Sequence, residues 1–170
     1  MTFEKAILLL IKHKVPEHII HHSYKVTKIS FFICEELEKK NLKVNKDLCI
    51  FASLLHDITK YQSIINKGED HSLTGGKLLR SLGYPDIAEI IESHVELKNL
   101  NYLKIEKEIV FYSDKRVKHH EIVSLKERYE DLKRRYGFSE KVKKGFEVAL
   151  NIENNLKNFG IKTELLHLLN

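Results

Sequence analysis

Apolar positions recur at steps of three and four along most of this chain, the period of helices that bury one face. Residues 16–40 show the pattern best: Ile19, Val26, Ile29, Ile33 and Leu37 form one stripe. The spacing predicts a short first helix over about 3–13, with Pro16 in the first turn of a long second one. Asn45 is placed to cap a third helix that runs through Leu55. A loop is expected over 60–69, a fourth helix from Asp70 to Leu82 closed by Gly83, and a fifth from Pro85 to His94. Residues 95–103 read as irregular, and a sixth helix covers about 104–117. Ser124 and Glu127 have capping-box spacing at the head of a seventh helix that ends at Tyr136. Ser139 opens an eighth helix ended by Gly160, and Thr163 caps a short last one. No run alternates with period two, so the expected fold is all-α, a single domain over residues 1–170.

Several polar residues interrupt these apolar faces. His22 falls on the stripe of the second helix, whereas His21 is rotated about 100° away from it. His56 and Asp57 end the third helix, which is apolar nearly all round from Leu48 to Leu55. An aspartate there opposes the helix dipole, a penalty that a nearby cation would offset. His71 shares a face with Gly75, Leu78 and Leu82; the pair Gly75 and Gly76 points to a close backbone approach. His94 continues the stripe of Ile87, Ile90 and Ile91, and Asp114 stands between Val110 and Val117 on an apolar side. Imidazoles and carboxylates are costly to bury without partners. Six of them, drawn from five helices, imply one shared partner, and one or two divalent metal ions are the simplest choice.

Composition narrows the setting. The chain has 170 residues, ten of them His, with only seven Gly, two Pro and no Trp. It is long enough to bury a core without a structural metal, so a metal here serves chemistry. The net charge of +5 suits an anionic substrate, but the charges are interspersed and form no nucleic-acid arm. Cys34 and Cys49 lie in apolar stretches without metal-ligand spacing, which predicts buried, reduced thiols. The longest N-terminal apolar run, residues 6–11, is too short to span a bilayer and lacks the flanks of a signal peptide. The expected setting is cytoplasmic, with no membrane contact.

The ordered set His22, His56 with Asp57, His71, His94 and Asp114 resembles the HD-domain phosphohydrolase superfamily. The segments HSYKV (22–26), LLHDITK (54–60), DHSLTGG (70–76) and YSDKR (112–116) extend the resemblance across about 16–136. It implies that His22, His56, Asp57 and Asp114 are the defining metal ligands. His71 and His94 match the extra histidines of two-metal members, in which the HD aspartate bridges the ions. Lys60 stands where related sequences place a lysine beside the substrate phosphate. The implied activity is hydrolysis of a phosphate ester of a small, nucleotide-like substrate, with a metal-activated water as nucleophile. Asp57 and Lys60 would be the catalytic residues, and Lys60 and Arg116 would bind substrate. Two divalent transition metal ions are expected, Fe or Mn first, with Co, Ni, Zn or Mg as alternatives. Thr59 departs from the glycine usual in HDIG, and VELKNL after His94 lacks the Gly-Tyr-Pro signature of the cyclic-di-GMP branch. The competing reading is a non-catalytic HD module that senses a nucleotide or serves as an interaction scaffold. His21, His119 and His120 are expected not to be ligands.

Overall fold

The computed structural model describes residues 1–66, 69–97, 104–137 and 139–170. Among these the chain forms helices α1 (Phe3–Lys12), α2 (Glu17–Glu38), α3 (Lys46–Leu55), α4 (Lys60–Ile65), α5 (His71–Ser81), α6 (Pro85–Ile91), α7 (Ile105–Lys115), α8 (Leu125–Tyr136) and α9 (Glu140–Asn158). A two-residue antiparallel pair, β1 (Val117–Lys118) and β2 (Glu121–Ile122), joins α7 to α8, and a 3₁₀ helix (Thr163–Leu169) ends the chain. The fold is all-α, as the helical periodicity predicts.

Helix α3 is the centre of the bundle. Every residue from Cys49 to Leu55 is buried, and the helix packs against α1, α2, α6 and α7. Its start is fixed by Asn45, whose side chain accepts from the Leu48 amide at 3.0 Å. Two apolar clusters flank it. One gathers α1, α3, α6 and Leu79 of α5 around Leu55 and Ile58. The other joins α2 and α7 to the hairpin, α9 and the C-terminal turn around Ile29, Ile33 and Tyr112. A buried Leu or Ile in either contributes about 2 kcal/mol. Cys34 and Cys49 are both buried and free.

Three buried hydroxyls cross this apolar interior. Ser30 of α2 meets Ser53 of α3 at 2.7 Å and Ser113 of α7 at 2.9 Å. Those are the helices that carry His22, the His56–Asp57 pair and Asp114.

Some boundaries differ from the sequence expectation. Residues 60–65 are helical rather than loop; α4 is a six-residue turn with no buried residue, too short and too exposed to leave a periodic signature. Lys67 and Gly68, within the expected loop, lie outside the described residues, as do 98–103 of the expected irregular stretch. Helix α6 stops at Ile91, short of His94, because the His94 ring caps it by donating to the Ile91 carbonyl at 2.6 Å. The strand pair at 117–122 escapes a period-two search because each strand has only two residues. Among the described residues no helix is long and apolar enough to cross a membrane.

Candidate metal centre

The six residues converge, each by local means. His22 lies on the buried face of α2. His56 is the C-cap of α3, and Asp57 follows it into the turn. His71 opens α5, whose N-cap Asp70 accepts from the Ser72 amide at 2.9 Å. His94 lies just beyond α6, and Asp114 is on the last turn of α7. Five of the six are buried; His71 is half-buried at the edge.

Backbone carbonyls set the protonation of three rings. His22 Nδ1 is 2.9 Å from the His119 carbonyl, His56 Nδ1 2.7 Å from that of Ser53, and His94 Nδ1 2.6 Å from that of Ile91. A carbonyl only accepts, so each Nδ1 carries a proton, and a ring that is neutral turns an Nε2 lone pair inward. Those lone pairs meet carboxylate oxygens, which are also acceptors. His22 Nε2 is 3.0 Å from Asp114 Oδ1, and His56 Nε2 is 3.4 Å from Asp57 Oδ2 and 3.6 Å from Asp114 Oδ1. His94 Nε2 is 3.6 Å from Asp57 Oδ1, and His71 Nε2 is 3.3 Å from the same oxygen. Among the described residues His56 Nε2 and Asp57 Oδ1 have no hydrogen-bond partner, although both are buried.

Acceptors facing acceptors require a positive species between them. Burial drives the His94 pKa down to about 4 and lowers that of His22 as well. Burial acts against His56 too, yet Asp57 and Asp114 outweigh it and push that ring up to about 9, so a second proton on its Nε2 competes with a metal ion for the place between the carboxylates. Burial also raises the cost of ionising both aspartates, but His56 and Lys60 hold Asp57 well below the usual carboxylate range. Lys115 and His22 do the same for Asp114. Two ionised carboxylates thus look into a nest of imidazole nitrogens, where a metal ion or the second proton of His56 supplies the positive charge. Nitrogen and oxygen donors of this kind suit a divalent ion, and His22, His56 and Asp114, or His56, Asp57 and His94, lie close enough to share one.

The two oxygens of Asp57 face different partners. Oδ1 looks toward His71 and His94, and Oδ2 toward His22, His56 and Lys60. Lys60 Nζ lies 2.6 Å from Oδ2. Lys115, which the sequence reading passed over, donates to Asp114 Oδ2 at 2.7 Å and to the His94 carbonyl at 3.2 Å. Its adjacency to Asp114 was the available signal. The His119 carbonyl left no sequence signal, because any residue could supply it.

This arrangement matches a known sequence family: the HD-domain model covers residues 19–118. The chain belongs to the HD-domain family. The HD match includes His22, His56, Asp57, His71, His94 and Asp114 and ends before α8. No match was found among curated proteins. Among solved structures, the crystal structure of a predicted HD superfamily hydrolase from an uncultured Thermotogales bacterium is similar over 93% of this chain and 88% of that one, at 17% identity and a TM-score of 0.49.

Arg116 is a correction to the sequence expectation. Its guanidinium does not face the HD cluster. It donates through Nε to the Val123 carbonyl at 2.7 Å and through a terminal nitrogen to Tyr112 at 2.5 Å and Glu153 at 3.1 Å. It is buried and ties α7 to the hairpin and α9. His21 and His120 line a different surface recess, and neither ring joins the cluster.

A cavity of about 520 Å³ opens onto the centre. Lys60, His71, His94, Asp114 and Lys115 line it on the side of the candidate metal centre, and most of the remaining lining comes from α8 and α9. Its outer wall therefore comes from beyond the matched HD region.

Proposed function

We propose that this chain is a metal-dependent phosphohydrolase that cleaves a phosphate ester of a nucleotide-like substrate. The observation that carries the reading is the turning of three imidazole Nε2 atoms onto two ionised carboxylates beneath a cation-lined cavity. His22, His56, Asp57 and Asp114 would hold one ion; Asp57, His71 and His94 would hold a second. The chemistry such ions supply is Lewis acidity, which polarises a phosphoryl oxygen and makes water nucleophilic near neutral pH. Fe or Mn is the first expectation for their identity, with Co, Ni, Zn or Mg as alternatives.

The chain's own groups do the rest. Burial works against the charge on Lys60, yet Asp57 and Asp114 raise its pKa, so it stays an ammonium and acts as a charge donor rather than a base. Held by Asp57, it is placed to offset charge on the phosphate oxygens. Lys115 supplies a second ammonium at the same end of the cavity. Residues of α8 and α9 wall the cavity on the side away from these ammonium groups. We take residues 1–170 as one domain working in the cytoplasm on a small molecule, without nucleic acid or membrane.

The test is metal analysis of protein purified without chelator, followed by a screen of phosphomonoesters, dinucleoside polyphosphates and cyclic nucleotides. Bound metal and chelator-sensitive cleavage are expected. Metal-loaded protein that binds a nucleotide and cleaves nothing would instead establish the sensor reading.

A further inference from the structure

Helix α9 contains a glycine with no structural reason to be one. Gly145 lies well inside Glu140–Asn158, where glycine is among the poorest helix formers. Its φ is not positive, and a Cβ built there would meet no atom of the described residues within 4 Å. Neither a turn nor a close helix contact requires the missing side chain. Gly145 does line the cavity above the metal centre. What the missing side chain preserves is open space.

The surroundings of that space are of two kinds. Next to the metal centre stand Lys60 and Lys115, with Lys141 and Arg128 also on the cavity wall. Arg128 is buried; it donates to Asp131 at 2.8 Å, while its Nε has no hydrogen-bond partner among the described residues. Beyond these cations the wall is apolar and aromatic: Leu125, Leu132, Val142, and the stacked rings of Tyr129 and Phe146, whose centroids are 4.3 Å apart. The cavity volume of about 520 Å³ is that of a pocket for a whole small molecule, far more than a phosphate group fills.

We propose that the α8–α9 wall is a specificity subsite, in which Gly145, Tyr129 and Phe146 accommodate a flat, apolar group of nucleobase size on the alcohol side of the scissile ester. This deepens the phosphohydrolase reading and rests on it. The subsite selects substrates by what is attached to the phosphate, not by the phosphate itself. It lies outside residues 19–118, so it is a property of this chain rather than of the HD match.

The test uses the full metal-loaded chain and phosphonate analogues, whose C–P bonds resist hydrolysis, of the four nucleoside 5′-monophosphates and of ribose 5-phosphate. At least one nucleoside analogue should bind at least tenfold more tightly than the ribose analogue by calorimetry. In Gly145→Leu, which fills the space with a better helix former, that ratio should fall to near one while metal content and Tm are retained. Phe146→Ala should lower the same ratio, giving a second reading if the leucine variant does not fold. A ratio near one in the wild type, or one that survives both variants, overturns the subsite alone. If none of the analogues binds, nucleoside or ribose, the phosphohydrolase reading falls and the subsite with it.

Discussion

The backbone carbonyl of His119 accepts from Nδ1 of His22 at 2.9 Å, and His119 delivers it from a left-handed conformation, φ 55°. The turn between β1 and β2 thus fixes which nitrogen of a candidate ligand carries its proton. Groups that orient a metal ligand from behind typically change affinity by about 10–100-fold when lost.

That relationship makes a sharp prediction. His119→Ala and His119→Gly should keep full metal content, because the interaction belongs to the backbone. His119→Pro forces φ to about −65°, swings the carbonyl away and should weaken metal binding by roughly 10–100-fold. Metal titration of the three variants checks this. Loss of an equivalent of metal in His119→Ala would make the ring itself a ligand.

Asp57 and Lys60 should separate metal binding from catalysis. Asp57→Ala removes the carboxylate that faces both histidine sets and should abolish turnover and metal occupancy together. Lys60→Ala should retain metal while turnover falls about 100-fold, the scale for losing one charge-stabilising group. Elemental analysis beside kinetics with any substrate found in the phosphoester screen distinguishes the two.

Arg116→Met should destabilise the fold without touching the metal. It strips a buried partner from Glu153 and leaves the Val123 carbonyl without its donor, a loss of about 3 kcal/mol. Urea denaturation and metal content of the variant are the measurements. Lowered kcat/KM at unchanged stability would restore Arg116 to the substrate.

Gly75 is the point where α5 approaches the end of α6 and the turn after α3. A Cβ there would lie 3.3 Å from Ile91 Cγ2 and 3.4 Å from Thr59 Oγ1. Gly75→Ala should be near neutral, with about 1 kcal/mol of helix propensity set against that crowding. Gly75→Leu should cost about 1–3 kcal/mol by overpacking. Thermal unfolding of both variants reads the difference.

These cases also mark what the sequence could carry. The inward placement of His22, Asp57 and Asp114 was legible because helical periodicity separates faces, and each stands where an apolar residue belongs. Arg116 was misread by nearness to Asp114, although two residues along a helix turn a side chain roughly 200° around it. The residues that enclose the cavity were hidden for a different reason. Gly145, Tyr129 and Phe146 sit on helices with ordinary amphipathic patterns, and only long-range packing brings them over Lys60 and Asp114. The end of α6 was misplaced because the cap that stops it is the His94 ring, read only as an inward-facing ligand.

The linked hydroxyls of Ser30, Ser53 and Ser113 bear on how an ion is received. Each belongs to a helix that carries part of the centre, and each is fully enclosed, so turning any one helix about its axis would strand a hydroxyl in an apolar interior. The three helices are therefore locked in azimuth whether or not metal is present. An arriving ion finds its donors already aimed, and the free energy of coordination is expressed as affinity rather than consumed in organising the protein.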